Sequence, residues 1–62
     1  MNHEQYCRVT YNKERNRWES AVQDADGNLE RHFHRYKWVA IARAKSDAEL
    51  LGVDVTTLEV QP

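Results

Sequence analysis

Apolar and polar residues alternate along the first third of the chain, and this period of two is typical of strands with one buried face. The pattern predicts a first strand over residues 5–12 and a second over residues 17–23, joined by a short polar connection. The apolar positions that share one side are Cys7, Val9 and Tyr11 in the first strand and Trp18 and Val22 in the second.

A turn and a third strand follow. Residues 24–28, DADGN, predict a tight turn, because Gly27 and Asn28 tolerate a positive φ and aspartate side chains bond nearby backbone amides. Residues 29–36 then alternate again, with Leu29 and Phe33 on one side and polar side chains on the other. We expect Leu29 and Phe33 to join the buried face, with the intervening histidines facing solvent.

The period changes after Tyr36. Apolar side chains then recur at steps of three and four residues, which predicts one buried helix face ending near Gly52, a residue suited to a left-handed C-terminal cap. The segment SDAE, residues 46–49, is a capping-box pattern inside this helix, so a break near Ser46 stays open. The recurring positions are Trp38, Ile41, Ala44, Ala48 and Leu51.

Residues 53–60 are rich in β-branched side chains and predict a last, short strand. The expected fold class is therefore α+β, in which a three-stranded antiparallel sheet is followed by one helix packed on a face and by a fourth strand, in the order βββαβ. The predicted core places Cys7, Val9, Trp18, Val22 and Phe33 against Ile41, Ala44, Ala48 and Leu51.

The composition fits one small domain over residues 1–62. The chain has 62 residues, of which 40% are hydrophobic and 31% are charged. Its longest apolar run, residues 38–42, is far shorter than the roughly 18 residues of a membrane span, so we expect a cytoplasmic location. The single cysteine, Cys7, excludes an internal disulfide and predicts a small apolar residue of a strand.

Charge is distributed unevenly along the chain. All nine Lys and Arg lie in residues 1–45 beside six acids, whereas residues 46–62 contain four acids and no Lys or Arg. This asymmetry is compatible with a basic half that binds a polyanion, and equally with attraction between the two halves within the fold or between protomers.

The segment RHFHRYKW, residues 31–38, combines five basic or ionisable side chains with three aromatic rings. On a strand, His32 and His34 project from one face about 7 Å apart, a spacing at which two imidazoles can share a zinc ion. Two ligands do not make a site, so we expect neither a metal nor a cofactor.

No catalytic motif is recognisable. Ser20 and Ser46 have no nucleophile motif around them, and the two glycines do not form a phosphate-binding loop. The turn DADGN does not match a calcium loop, because Arg35 occupies the place of the twelfth-position glutamate. We therefore expect a protein that is not an enzyme.

Two pattern resemblances point to nucleic acid. The segment AELLGVDVTTLEV resembles a helix-turn-helix, which implies a second helix over residues 55–61. Trp18, the Asp-Gly turn, Phe33 and the alanine-rich helix together resemble the sheet-plus-helix domains of plant ethylene-response factors and integrase arm-binding modules. That resemblance implies a sheet laid in the major groove, and its open face would carry Arg8, Arg17, His32 and His34 together with Glu19 and Glu30.

The function expected from the sequence is a small binding or regulatory module that acts through protein contacts and self-associates as a two-fold dimer. Nucleic-acid binding by the basic open face of the sheet is the alternative; ten acids against nine bases favour protein contacts. The candidate contact residues for either partner are Arg8, Arg17, Arg31, His32, His34, Arg35 and Tyr36.

Overall fold

The computed structural model describes residues 2–61. It has three strands, a helix, a short 3-10 helix and a fourth strand, which confirms the predicted α+β fold with the order βββαβ. The elements are β1 Tyr6–Asn12, β2 Arg17–Gln23, β3 Leu29–His34, α1 Lys37–Leu51, the 3-10 helix Val55–Thr57 and β4 Glu59–Gln61.

The strands form one sheet in the order β3-β2-β1-β4. The first three strands are antiparallel neighbours, whereas β4 runs parallel to β1 with Val60 opposite Val9. Because opposed residues project from the same face, the pairing of Val9 with Ser20 and of Ser20 with His32 puts these side chains on one face. Helix α1 covers this face, and we call the other one the open face.

The predicted turn between β2 and β3 is held by Asp24. Its Oδ1 accepts hydrogen bonds from the backbone amides of Asp26 and Asn28, both at 2.9 Å. A further bond from the Asn28 side-chain amide is the main reason why the pKa of Asp24 is lowered. Gly27 has φ 87°, a left-handed backbone conformation that favours glycine, and the exposed His3 ring lies beside it.

Helix α1 is continuous through Ser46, so the capping-box pattern inside it marks no break. It begins after Tyr36 without a side-chain cap and ends at Gly52, which has φ 73° as expected for a left-handed C-terminal residue. No helix in residues 2–61 is long and apolar enough to cross a membrane.

The core lies between α1 and the covered face of the sheet. Three alanines of the helix, Ala40, Ala44 and Ala48, are fully buried there. Their small side chains let the helix approach the strands closely, and the Sγ of Cys7 lies 3.6 Å from the carbonyl oxygen of Ala44. Other buried apolar members are Val9, Val22 and Val53, with Trp18, Ile41, Leu51, Val55 and Leu58 packed against them.

The placement of Phe33 in the core was wrong. Phe33 lies opposite Glu19 on β2, and Glu19 lies opposite Thr10 on β1, so all three side chains belong to the open face. The alternation along β3 was predicted correctly, but the faces were exchanged. Leu29 and Phe33 therefore lie on the open face with Arg31, and Glu30 and His32 point towards α1.

The C-terminal segment also differs from the prediction. The Asp54 carboxylate accepts the backbone N–H of Thr56 at 2.9 Å and caps the 3-10 turn, and this bond lowers the pKa of Asp54. The strand expected from Val53 consequently begins only at Glu59. Residues 55–61 form this turn and β4, so the second helix implied by the helix-turn-helix resemblance does not exist.

Candidate functional site

The open face carries a row of cationic side chains. Ala21 on the central strand β2 lies between its partners Arg8 on β1 and Arg31 on β3, so two arginines flank one small residue. Arg17 occupies the same face at the start of β2, opposite Asn12. The alternation of the strands thus places Arg8 and Arg17 on the open face, as the sequence predicted, and the exchanged faces of β3 bring Arg31 there as well.

Aromatic rings hold several of these guanidinium groups against the sheet. The Cζ of Arg8 lies 4.6 Å from the centre of the Tyr6 ring. Phe33 is approached by two arginines, with the Cζ of Arg15 at 4.4 Å and that of Arg31 at 5.2 Å from the ring centre. Such stacking orients a guanidinium while leaving its N–H groups free to donate.

Arg15 is a member of this surface that sequence reasoning missed. It belongs to the turn between β1 and β2, and a turn residue has no alternation that would assign it to a face. Its position becomes predictable only once Phe33 is known to lie on the open face, because the ring attracts the guanidinium. We call Arg8, Arg15, Arg17 and Arg31 the arginine surface.

Few acids neutralise the arginine surface. Glu19 accepts a hydrogen bond from Arg31 at 3.1 Å, and Glu59 shares the open face because it pairs with Arg8 across β1 and β4. These are the only two acids at strand positions of this face in residues 2–61. At these strand positions three arginines, Arg8, Arg17 and Arg31, stand against two glutamates, and the guanidinium of Arg15 over Phe33 adds to this excess of positive charge, although the whole chain has a formal net charge of −1.

The two histidines were assigned to the wrong face. His32 pairs with Ser20 and His34 pairs with Trp18, and both imidazoles lie on the face that α1 covers. Their side chains are half-buried instead of facing solvent. His32 and His34 therefore do not belong to the arginine surface.

His32 is part of a polar network beneath the helix. Asp47 of α1 is only 4% exposed, and the Nε of Arg43, one turn earlier, lies 3.0 Å from each of its carboxylate oxygens. The Nε2 of His32 lies 2.9 Å from an Arg43 nitrogen, 2.9 Å from the Oε2 of Glu30 and 3.8 Å from the Oδ2 of Asp47. We call these four residues the covered network.

The covered network contains three potential metal ligands. Ligand atoms of Glu30, His32 and Asp47 all lie within 4.8 Å of one another, a spacing that a metal ion can bridge. The guanidinium of Arg43 already contacts two of the three, and it supplies the positive charge that the buried carboxylate needs. The geometry is therefore that of an internal ion pair, which buried carboxylates require.

Ser20 and His34 also meet on the covered face. The Oγ of Ser20 lies 3.0 Å from the Nε2 of His34, within the range of a nucleophile and its base. Burial, together with the nearby His32 and Arg43, lowers the pKa of His34. Ser20 is fully buried, however, and no ligand-sized cavity lies among the described residues, so a substrate has no access to the hydroxyl.

Cys7 is equally inaccessible. Its side chain is 1% exposed, and burial, with a smaller contribution from Asp47, raises the pKa of the thiol. The thiol is therefore neutral near pH 7 and behaves as a core residue.

Two predicted contact residues lie apart from the arginine surface. Arg35 and Tyr36 form the junction between β3 and α1, where the Cζ of Arg35 lies 5.8 Å from the Tyr36 ring centre. Both are exposed, and Tyr36 also begins the helix. They stand at one end of the sheet instead of on its open face.

Comparison of the chain with protein-family models, curated proteins and solved structures found no match.

Proposed function

We propose that this protein is a non-enzymatic module that binds nucleic acid through the arginine surface on the open face of its sheet. The observation that carries the proposal is the separation of charge between the faces. Four of the nine Lys and Arg belong to the open face, where two glutamates accompany them, whereas Asp47 and Glu30 are held on the other side by Arg43 and His32. Over the whole chain, ten acids against nine bases favour protein contacts. On the open face alone, arginines outnumber glutamates.

The chemistry of the surface suits phosphate. Guanidinium groups donate paired hydrogen bonds to phosphate oxygens, and stacking on Tyr6 and Phe33 limits the freedom that these side chains would lose on binding. Arg31 remains 51% exposed despite its bond to Glu19. Contacts of this kind go to the phosphate backbone, so the binding proposed is independent of base sequence.

The salt dependence of binding gives a quantitative expectation. A protein that neutralises four phosphates of duplex DNA has a slope of about 3 to 4 in log affinity against log salt. Raising the salt concentration from about 50 to 200 mM should then weaken binding on the order of 100-fold. Anisotropy titrations with labelled duplex DNA, duplex RNA and single strands at both concentrations measure this slope.

A matched pair of triple variants tests the surface itself. R8Q/R17Q/R31Q removes three charges from the open face, and R35Q/K37Q/K45Q removes three charges from elsewhere. We expect the first variant to lower the salt slope by about 2 to 3 and the second to leave it nearly unchanged. Equal losses in the two variants, or no binding by the parent at the lower salt concentration, would contradict the proposal.

The second candidate function is a protein-contact module that self-associates. Specific exposed side chains favour it, because Trp38 is 71% exposed and Leu50 is 76% exposed on α1, and Tyr36 is 54% exposed at its start. Large apolar side chains in such positions are covered when a partner docks. A partner protein that stays bound at high salt, together with no detectable nucleic-acid binding by the chain, would favour this function. A cytoplasmic location is part of either proposal.

A further inference from the structure

The outer edge of β3 is an unpaired strand edge. β3 is the terminal strand of the sheet, and its only strand neighbour is β2. No backbone hydrogen bond within residues 2–61 reaches residues 30–34 from the outer side. Unlike the three-residue β4 at the opposite edge, β3 has six residues and contains no proline, which would block pairing.

Exposed apolar side chains lie beside this edge. Leu29, 49% exposed, occupies the open face of β3 itself. Arg43 and Asp47 both contact His32 of β3, so their side of α1 leans over this strand. Leu50, 76% exposed, follows Asp47 by three residues and therefore lies on the same flank of the helix. An added strand at this edge would lie next to both leucines.

The sequence of β3 is complementary to a second copy of itself in one antiparallel register. A two-fold axis through His32 places Arg31 opposite the second copy's Phe33 on the open face, and Glu30 opposite its His34 on the covered face. Each of these contacts occurs twice by symmetry. Shifting the axis by one residue in either direction opposes like charges, Arg31 against Arg31 or Arg31 against Arg35.

From these observations we infer that the protein forms a two-fold dimer by antiparallel pairing of β3 with β3 of a second copy, in the register centred on His32. The two sheets join into one of eight strands, with both helices on one side and both open faces on the other. In the dimer, each Arg31 leaves the Phe33 ring of its own copy and stacks on the Phe33 ring of the other copy across the axis. The inference does not depend on whether the open face binds nucleic acid.

Disulfide trapping reads the register directly. In this register residues 31 and 33 of different copies are directly opposed, within the Cα separation of about 4.5 to 5.5 Å that a disulfide spans. R31C/F33C should therefore oxidise rapidly to a covalent dimer, while R31C alone and F33C alone should not. Both positions lie on the open face and the native Cys7 is buried, so no third thiol interferes. Because the variant removes the contact between Arg31 and Phe33, trapping reports the register that backbone pairing and the contact between Glu30 and His34 maintain.

Sedimentation of the unmodified chain gives the second readout. The 7.3 kDa chain should sediment at twice its monomer mass at micromolar concentration. L50K should weaken the dimer at least tenfold, whereas the matched control A42K adds the same charge to an exposed position of α1 and should not. Circular dichroism of each variant checks that it remains folded.

The results of trapping and sedimentation distinguish the proposed register from another register and from the absence of this interface. Trapping by R31C/F33C only, together with a dimer that L50K dissociates, supports the inference. Trapping by R31C alone indicates the register centred on Arg31 and overturns the register centred on His32. A monomer at about 100 µM, a concentration of the order at which weak dimers still form, combined with no trapping in any variant overturns the interface altogether.

Discussion

The two faces of the sheet use arginine in opposite ways. On the covered side, Arg43 of α1 donates to both carboxylate oxygens of a buried aspartate and contacts His32, so its charge is neutralised within the fold. On the open face, Arg8 and Arg15 lie over aromatic rings, and no ion pair to either is found in residues 2–61. The same side chain therefore stabilises the protein on one face and is available to a ligand on the other.

The comparison teaches that the partner of an arginine, more than its own exposure, decides its role, because Arg43 is 44% exposed yet bonds to a buried carboxylate, whereas the half-buried Arg8 lies over a ring. Leaving a buried carboxylate without its partner is costly because its desolvation is no longer compensated. An exposed arginine stacked on a ring contributes little to folding, on the order of 0.5 to 1 kcal/mol. We therefore expect substitutions on the covered face to change stability, and substitutions on the open face to change binding.

The largest difference in stability should appear between alanine substitutions of two aromatic residues, one on each face. Trp18 packs against the core with Tyr11 at a centroid distance of 5.3 Å, so Trp18→Ala should cost about 3 kcal/mol, close to the total stability of so small a domain. Phe33→Ala on the open face should cost only about 1 kcal/mol, because arginine side chains and not core residues surround the ring. Thermal melts followed by circular dichroism measure both, and equal losses would contradict the assignment of the faces.

A smaller loss is expected from breaking the covered network. Arg43→Gln leaves the Asp47 carboxylate buried without the Nε–H that its two oxygens share, and we expect a loss of about 2 kcal/mol. This value is below that of a fully buried pair because the Arg43 side chain is 44% exposed. Urea denaturation gives the free energy of unfolding.

The double variant R43Q/D47N is the control for this pair. It removes both charges, so it should be more stable than R43Q alone, since no uncompensated carboxylate remains. If R43Q lost less than about 0.5 kcal/mol, the ion pair would have no more effect than an ordinary surface pair.

The smallest expected effect is a change of stability with pH, caused by the titration of His34. Because the folded chain holds the pKa of His34 below its ordinary value of 6.5, the unfolded chain binds a proton more readily in that range. The stability should therefore be full above pH 6.5, fall as the pH drops below it, and level off below the lowered pKa of the folded state.

His34→Gln provides the reference for this titration, because glutamine can still bond to Ser20 but does not titrate. Urea midpoints at several pH values between about 5 and 7.5 should fall more steeply in the parent than in the variant. Identical pH profiles would show that His34 is not the group responsible.

The sequence predicts those parts of the fold that local patterns determine. The alternation of β1 and β2 marks their buried sides correctly, Gly27 marks the turn, and Gly52 marks the end of α1. These features depend on residues that are close in sequence. The same is true of the alternation along β3, which correctly puts Leu29 and Phe33 on one face and Glu30 and His32 on the other.

The choice of face for β3 is not a local property. Hydrophobicity alone directs Phe33 inward, yet Arg43 and Asp47 of α1 provide partners for His32 on the covered side, and arginines from β3 and the β1–β2 turn surround Phe33 on the other. The i, i+4 spacing of Arg43 and Asp47 is a signal that could have indicated a paired charge on the helix. It does not reveal that the pair is buried, because burial depends on where α1 crosses the sheet.

The most direct test of the account is a nuclear magnetic resonance titration that observes the arginine Nε–Hε signals as duplex DNA is added at low salt. The account predicts shifts for Arg8, Arg15, Arg17 and Arg31, and none for Arg43, whose Nε is bonded to Asp47 beneath the helix. Shifts confined to Arg35 and α1, or no shifts at all at millimolar DNA, a concentration at which even weak binding is detectable, would contradict the claim that the open face is the binding surface.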